Sequence, residues 1–275
     1  MTFAAQQVRQ FDRERFVTAL FAPPERRDGL MALYAFNVEV AKVRESVREA
    51  MAGLIRLQWW RDVIAAAAEG RMPPAHPIAI PLAELVHRHH LPIEAFDALL
   101  TAREQDLSGS GPADAAAAEA YADHTSGGLT RLALMVLGVT DEATLAAGRH
   151  VGIAWALVGQ MRALGLHLSQ GRLALPASDL AAAGTDAEAV LAGTAPRAAI
   201  AVAVKAMGER AAEHLVQARR QRVGKDALAA LLPATLASAH LAVLAKAGWD
   251  PFNPLVAAAR PRPLRLAWAH VRGRF

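Results

Sequence analysis

Between Leu33 and Val47 the apolar side chains recur at spacings of three and four: Leu33, Phe36, Val40, Val43 and Val47. That period belongs to a helix and not to the two-residue alternation of a strand, so the segment predicts an amphipathic helix with one stripe turned to a core. A second row runs beside the stripe: Asn37, Ala41, Arg44 and Arg48, with Glu45 on its edge. This row faces the space next to the core. After a pause around Met51–Gly53 a second helix is expected over Leu54–Glu69, carrying Trp59 and Trp60. Neighbouring residues on a helix point about 100° apart, so the two indoles cannot share a side. Either one is core and the other lines a groove or a partner surface, or both pack.

The same period governs the rest of the chain. A short helix over 11–20 is broken by Ala22-Pro23-Pro24, and Glu25 opens the long helix that carries the organising stripe. Gly70–Pro77 reads as a loop. Helices follow at 78–90 and 92–107, then a connector, Ser108–Pro112. Asp114 is placed to cap a helix that runs to Leu137, where Gly138 stops it. Another helix starts near Asp141 and is expected to reach Leu168. Gly171–Ser178 closes over its end, short pieces occupy 178–192, and two further helices run from Thr194 to Arg222 and over 226–247. Alternating Val/Ile/Thr runs are missing, and alanine and leucine, both helix formers, dominate. The expectation is an all-α fold, a single large helical bundle in one domain over 1–275.

Composition narrows function mostly by exclusion. The 275 residues include no cysteine, which removes disulfides, iron–sulfur clusters and thiolate zinc. No secretory leader is expected from the first residues, and no run of about 18 uncharged apolar residues marks a membrane span. The nearest run, Val151–Leu168, contains Gln160, Arg162 and His167 and reads as a buried helix. A net charge of +4 hides an uneven tail: after Asp250 no acid follows, while Arg260, Arg262, Arg265, Arg272 and Arg274 do. With Leu264, Leu266, Trp268 and Val271 between them, residues 260–275 suit peripheral contact with an anionic membrane or a protein partner, or form a solvated C-terminal helix. Nucleic acid is not expected as a partner, since no recognised module or broad basic face accompanies the tail.

Along Val151–Gln170 the residues Gly152, Ala156, Gly159, Ala163 and His167 fall on one helical row. Such a row admits a second helix at close range or leaves room for a ligand. Arg162 adjoins it in apolar surroundings and needs an anionic partner, which Glu45 or a bound anion could supply. His87, His89 and His90 raise a metal site, but without a third ligand they read as exposed side chains. Signatures for nucleophilic hydrolases, phosphate loops and dinucleotide binding are missing.

These residues, in their order and spacing, resemble the squalene/phytoene synthase family. The likeness begins with Phe16–Phe21 and with Arg26-Arg27 leading to Leu33-Tyr34-Ala35-Phe36. It continues through His76-Pro77, Arg103–Leu107, Tyr121 with Gly128, Gly152-Ile153-Ala154, Arg162, and Gly171-Arg172 with Leu175-Pro176. The resemblance implies a bundle of the isoprenoid synthase type around a central cavity. In active members of that family two aspartate-rich segments on facing helices hold Mg²⁺ ions that ionise prenyl diphosphates. Here the first pair falls on Ala41 and Glu45, and the second polar row on Ala156, Gly159, Ala163 and His167. One carboxylate cannot hold a cluster of Mg²⁺ ions, so neither that cofactor nor metal-dependent prenyl transfer is expected, and no catalytic residue is assigned.

Within the family, Ala35–Val43 and Gly53–Arg61 are similar to the synthase-like assembly factors of respiratory complex I. That likeness implies a non-catalytic role in maturing NADH:quinone oxidoreductase, with complex I subunits or assembly intermediates as partners. The location implied is cytoplasmic, peripheral on the inner membrane face, or the mitochondrial matrix if the chain is organellar. The alternatives are a prenyl diphosphate-binding or -converting transferase and a lipid-binding membrane-surface module, with an isoprenoid or lipid as ligand. The expected ligand or partner pocket comprises Tyr34, Asn37, Ala41, Arg44, Glu45, Arg48, Ala156, Gly159, Arg162, Ala163, His167 and Arg172.

Overall fold

The computed structural model describes residues 1–109, 111–258 and 263–275. Its elements are α1 (Phe3–Phe11), α2 (Arg13–Ala19), α3 (Pro24–Ala41), α4 (Val43–Ser46), α5 (Ala50–Ala68), α6 (Ala79–His89), α7 (Ile93–Ser108) and α8 (Ala115–Ala122). A π turn, Asp123–Gly127, leads into α9 (Gly128–Val136), α10 (Glu142–Arg162) and α11 (Leu164–Ser169). Then come α12 (Ala177–Ala182), α13 (Ala187–Leu191), α14 (Arg197–Arg219), a 3₁₀ turn (Lys225–Ala227), α15 (Leu228–Leu231), α16 (Pro233–Lys246), α17 (Pro254–Ala258) and α18 (Pro263–Val271). Among the described residues there is no strand.

α3 starts with Pro24 in its first turn, where a missing N–H costs nothing, and with Glu25 near the positive end of the helix dipole. Four of the five stripe residues are core as expected, Leu33, Phe36, Val40 and Val43, whereas Val47 lies past the helical turns and is only half-buried. Phe36 packs edge-on against Trp60 at 5.1 Å and Phe96 at 5.6 Å, which joins α3 to α5 and α7. Trp60 is buried and Trp59 only half so, so one indole of the pair is core. Arg61 ties α5 to α7, donating to Asp97 at 2.7 Å and Glu104 at 2.6 Å.

α10 is the central post. It packs against α14, the π turn, α9, α16 and α8. Asp141 caps it, accepting from the Thr144 amide at 2.8 Å, and Asp114 caps α8 in the same way through the Ala117 amide at 2.8 Å. Gly138, at φ +89°, ends the preceding segment in the left-handed region that glycine tolerates.

Several of the long expected helices are interrupted. The first breaks at Lys42 (φ −90°, ψ −3°) and again at Val47, which is extended. The helix from Asp114 to Leu137 holds the π turn. The helix from Asp141 to Leu168 breaks at Ala163. Lys42, the π turn and Ala163 lie on the wall of one cavity, whereas the break at Leu232 within the expected helix over 226–247 does not. No single helix among the described residues is long and apolar enough to cross a membrane. At the end of the chain α18 lies on α16 with Leu266 fully buried, so the tail is not simply solvated. Arg260 and Arg262 lie outside the described residues.

Candidate functional site

The cavity has a volume of about 440 Å³ and opens between α3, α7, α8, the π turn, α10 and the loop after α11. α3 gives it Asn37 and Ala41, and the break after Ala41 turns Lys42 and Glu45 towards it. α10 and α11 give Trp155, Ala156, Gly159, Gln160, Ala163 and His167. Arg172, Leu173 and Ala174 close one side from the loop. That loop is held to the connector after α7: the amides of Ala177 and Ser178 donate to the carbonyls of Pro112 and Ala113 at 2.9 and 3.0 Å.

Eight of the twelve expected pocket residues therefore meet in one place: Asn37, Ala41, Glu45, Ala156, Gly159, Ala163, His167 and Arg172. The other four do not. Tyr34 is buried in the core, and burial pushes its phenol up to about 12 against the pull of Arg15. Arg44 and Arg48 follow the helix break, which cancels the register that would have set them below Asn37 and Ala41; Arg48 is exposed. Arg162 turns away from the row. Its anionic partner is not Glu45 but Glu14 of α2, at 2.8 Å, whose other oxygen meets His240 of α16 at 2.6 Å. Burial raises the affinity of Glu14 for a proton, but the His240 and Arg162 contacts outweigh it and hold the carboxyl below its ordinary range.

The small-residue row serves both purposes that the sequence allowed. A Cβ on Gly152 would run into the Ser126 carbonyl of the π turn, so there the row admits close packing. At Gly159 a Cβ would meet nothing within 4 Å, so there it leaves room. The close approach at Gly152 also positions Ser126, whose hydroxyl accepts from Arg15 at 2.7 Å at the cavity wall.

The polar centre of the cavity is a group that sequence reasoning left outside the pocket. Asp106 accepts from the Tyr121 hydroxyl at 3.0 Å, from Arg103 at 3.3 Å and from Arg172 at 3.2 Å. Arg103 also donates to the Tyr121 oxygen at 2.7 Å. Asp106 thus draws α7, α8 and the closing loop together. Burial pushes the Tyr121 phenol up to about 12, so it stays a neutral donor at pH 7. Burial, then Arg172, hold the His167 imidazole below its usual value against Asp106 and Glu45, so it adds little positive charge there. Arg15 and Lys42 were missed as well. Each has other charged residues close by in the sequence, Arg13 and Glu14 before Arg15 and Arg44 and Glu45 after Lys42, so nothing singles it out, while Arg103, Asp106 and Tyr121 stood out only through the family likeness.

Four cationic side chains, Arg15, Lys42, Arg103 and Arg172, face two carboxylates, Glu45 and Asp106, so the wall is net positive. Arg103 Nε and Gln160 Oε1 are buried without a hydrogen-bond partner in the protein, a donor and an acceptor left for something else to satisfy. The donors do not suit a Mg²⁺ cluster. Asp106 is already committed to two arginines and a phenol, and the helix positions facing it offer methyls, a hydrogen and an imidazole. Among the described residues no three ligating side chains converge; His87 and His90 are exposed.

An all-helical bundle around a cavity with facing walls at α3 and α10 defines the isoprenoid synthase class. The squalene synthase HpnC of Alicyclobacillus acidocaldarius superimposes with a TM-score of 0.80 over 90% of this chain and 94% of that one, at 21% identity. The model of the squalene/phytoene synthase family matches residues 8–268, and the chain belongs to that family. It is 31% identical to "NADH dehydrogenase (ubiquinone) complex I, assembly factor 6" of Rattus norvegicus over 254 residues, 92% of this chain and 76% of that protein. The match to the Bos taurus counterpart spans about half of its length (52%), at 33% identity over 63% of this chain. The presqualene diphosphate synthase of Rhodopseudomonas palustris is 28% identical over 73% of this chain and 72% of its own.

Proposed function

We propose that this protein assists the assembly of respiratory complex I and does not join prenyl diphosphates. One observation carries the reading: the bundle and its cavity are intact while the positions that would hold metal carry Ala41, Ala156, Gly159, Ala163 and His167. Ionising a diphosphate needs a concentrated positive charge at the leaving oxygen, and the wall offers dispersed arginines without a carboxylate set to hold Mg²⁺. The similarity to assembly factors over 92% of the chain supports the same reading. Its partners are subunits or intermediates of complex I, and its place is the cytoplasmic or matrix side of the membrane that holds that enzyme. Deleting the gene should lower the amount of fully assembled complex I on a native gel and the NADH:quinone activity of membranes. Normal assembly in the deletion strain would end the proposal.

A second reading concerns the cavity. Its volume, its positive wall and the two unpartnered atoms favour a retained ligand, an anionic isoprenoid or lipid bound without metal. Farnesyl diphosphate added to purified protein in EDTA should raise the melting temperature without being consumed. Mg²⁺-dependent turnover would restore the transferase alternative.

A further inference from the structure

The end of α14 and the C-terminal helix are far apart in sequence and meet in space. The Arg219 guanidinium donates to the Phe275 carbonyl at 2.7 Å and to Ser238 at 2.8 Å. Burial, then the nearby charge of Arg265, lower the hold of Arg219 on its proton. Arg220 and Arg222 follow directly and are exposed, as are Arg265, Arg272 and Arg274. From Arg219 to Lys225, and from Pro251 to Phe275, the chain contains no acid. Two basic segments without acids of their own therefore converge on one end of the molecule.

α18 is apolar on two sides. Leu266 is buried against the bundle and His270 stacks on Phe21 at 5.1 Å, which fixes the inner side. Leu264, Trp268 and Val271, at i, i+4 and i+7, share the opposite side and are 86%, 59% and 73% exposed. A docked helix normally turns polar residues outward, so this second stripe lacks a reason in the fold of the chain alone. Arg272 lies over the Trp268 ring at 4.4 Å, and Arg265 and Arg272 occupy the same flank of the helix beside that indole. An apolar ridge with an indole and arginines at its edge matches a bilayer interface, where the ring sits at headgroup depth and the guanidinium groups meet lipid phosphates.

We propose that this composite surface, the α14 end together with the outer side of α18, docks the protein on an anionic lipid bilayer. The arginines beside the ridge complement anionic headgroups, and the apolar side chains between them suit the acyl boundary beneath. The sequence points only to the tail; the structure adds Arg220 and Arg222, which directly follow α14. This docking does not depend on the assembly role, because it is read on the purified chain.

The test is flotation of the full chain with vesicles of phosphatidylcholine alone or mixed with phosphatidylglycerol. Wild-type protein should float with the mixed vesicles, stay behind with the neutral ones, and be released by salt. Trp268→Ala with Leu264→Ser should cut binding at least about tenfold, and Arg220→Glu with Arg222→Glu by a similar factor, since each cation near such a surface contributes about fivefold. Melting temperature checks that both variants are folded. The lipid and salt comparisons need no mutation, so a misfolded variant leaves the test intact. No binding to the mixed vesicles, equal binding to neutral ones, or folded variants that bind as wild type would overturn the proposal. Capture by polyglutamate without vesicle binding would also overturn it, by assigning the surface to an acidic protein.

Discussion

Gly152 and Gly159 lie two turns apart on one row of α10, and they do opposite things. Gly152 brings the π turn so close that its carbonyl occupies the space of a side chain. Gly159 faces open cavity. The packed half of the helix also joins α14 through His150 and His214, whose Nδ1 atoms are 2.8 Å apart. The open half continues to Ala163, where the helix breaks and α11 brings His167 to the wall. A row of small residues thus carries no fixed meaning. What stands across from it decides whether a missing side chain is an interface or a site.

Substitution at these two glycines should separate the halves most sharply. Gly152→Ala forces a methyl into backbone that cannot swing away, and should cost about 3 kcal/mol, the upper end for overpacking, seen as a large fall in melting temperature. A melting temperature within error of wild type would break the contrast. Glu14→Gln tests whether Arg162, one turn beyond Val158, belongs to the core and not to the cavity. Losing the charge that Arg162 and His240 share should cost about 2 kcal/mol, with farnesyl diphosphate binding in EDTA unchanged. Because the folded Glu14 carboxyl is held low, that contribution is present above the unfolded value of about 4.3 and lost as pH falls through the folded one.

A smaller effect is expected from the imidazoles of the packed half. Burial first, then His214 and Arg149, depress the proton affinity of His150 against the pull of Asp123. Its stabilising contribution is therefore complete above the unfolded imidazole value of about 6.5 and lost as pH falls through the lower folded value. Melting temperature measured from pH 8 to pH 5 should decline, and His150→Gln should make the decline shallower. An unchanged slope would remove His150 from the account. The smallest change in stability belongs to Gly159→Ala, which relieves a helix of its glycine and should stabilise by up to about 1 kcal/mol. The methyl would project into the cavity and should weaken any ligand held there. A loss of stability at this position would mean that the cavity is filled by protein.

Much of the bundle was legible because periodicity is a local property. The stripe on α3, the caps Asp114 and Asp141, the stop at Gly138 and the glycine row on α10 follow from spacing and from the backbone needs of each residue. The positions expected opposite the family's aspartate-rich segments, Ala41, Ala156, Gly159, Ala163 and His167, could likewise be lined up along two helices before any coordinates, and all five reach the cavity. Arg44 and Arg48 could not be placed, because their direction depends on a helix break at Lys42 that no proline or glycine announces. Nor could the two carboxylate centres be paired. Glu14 finds Arg162 148 positions away, and Asp106 finds Arg172 66 away. Charge partnership of that kind is set by which helices become neighbours. One-dimensional order fixes where helices form and which side of each is apolar, since those depend on residues within a turn or two. Only the packed bundle chooses between a filled and an open glycine, because that depends on the atoms opposite.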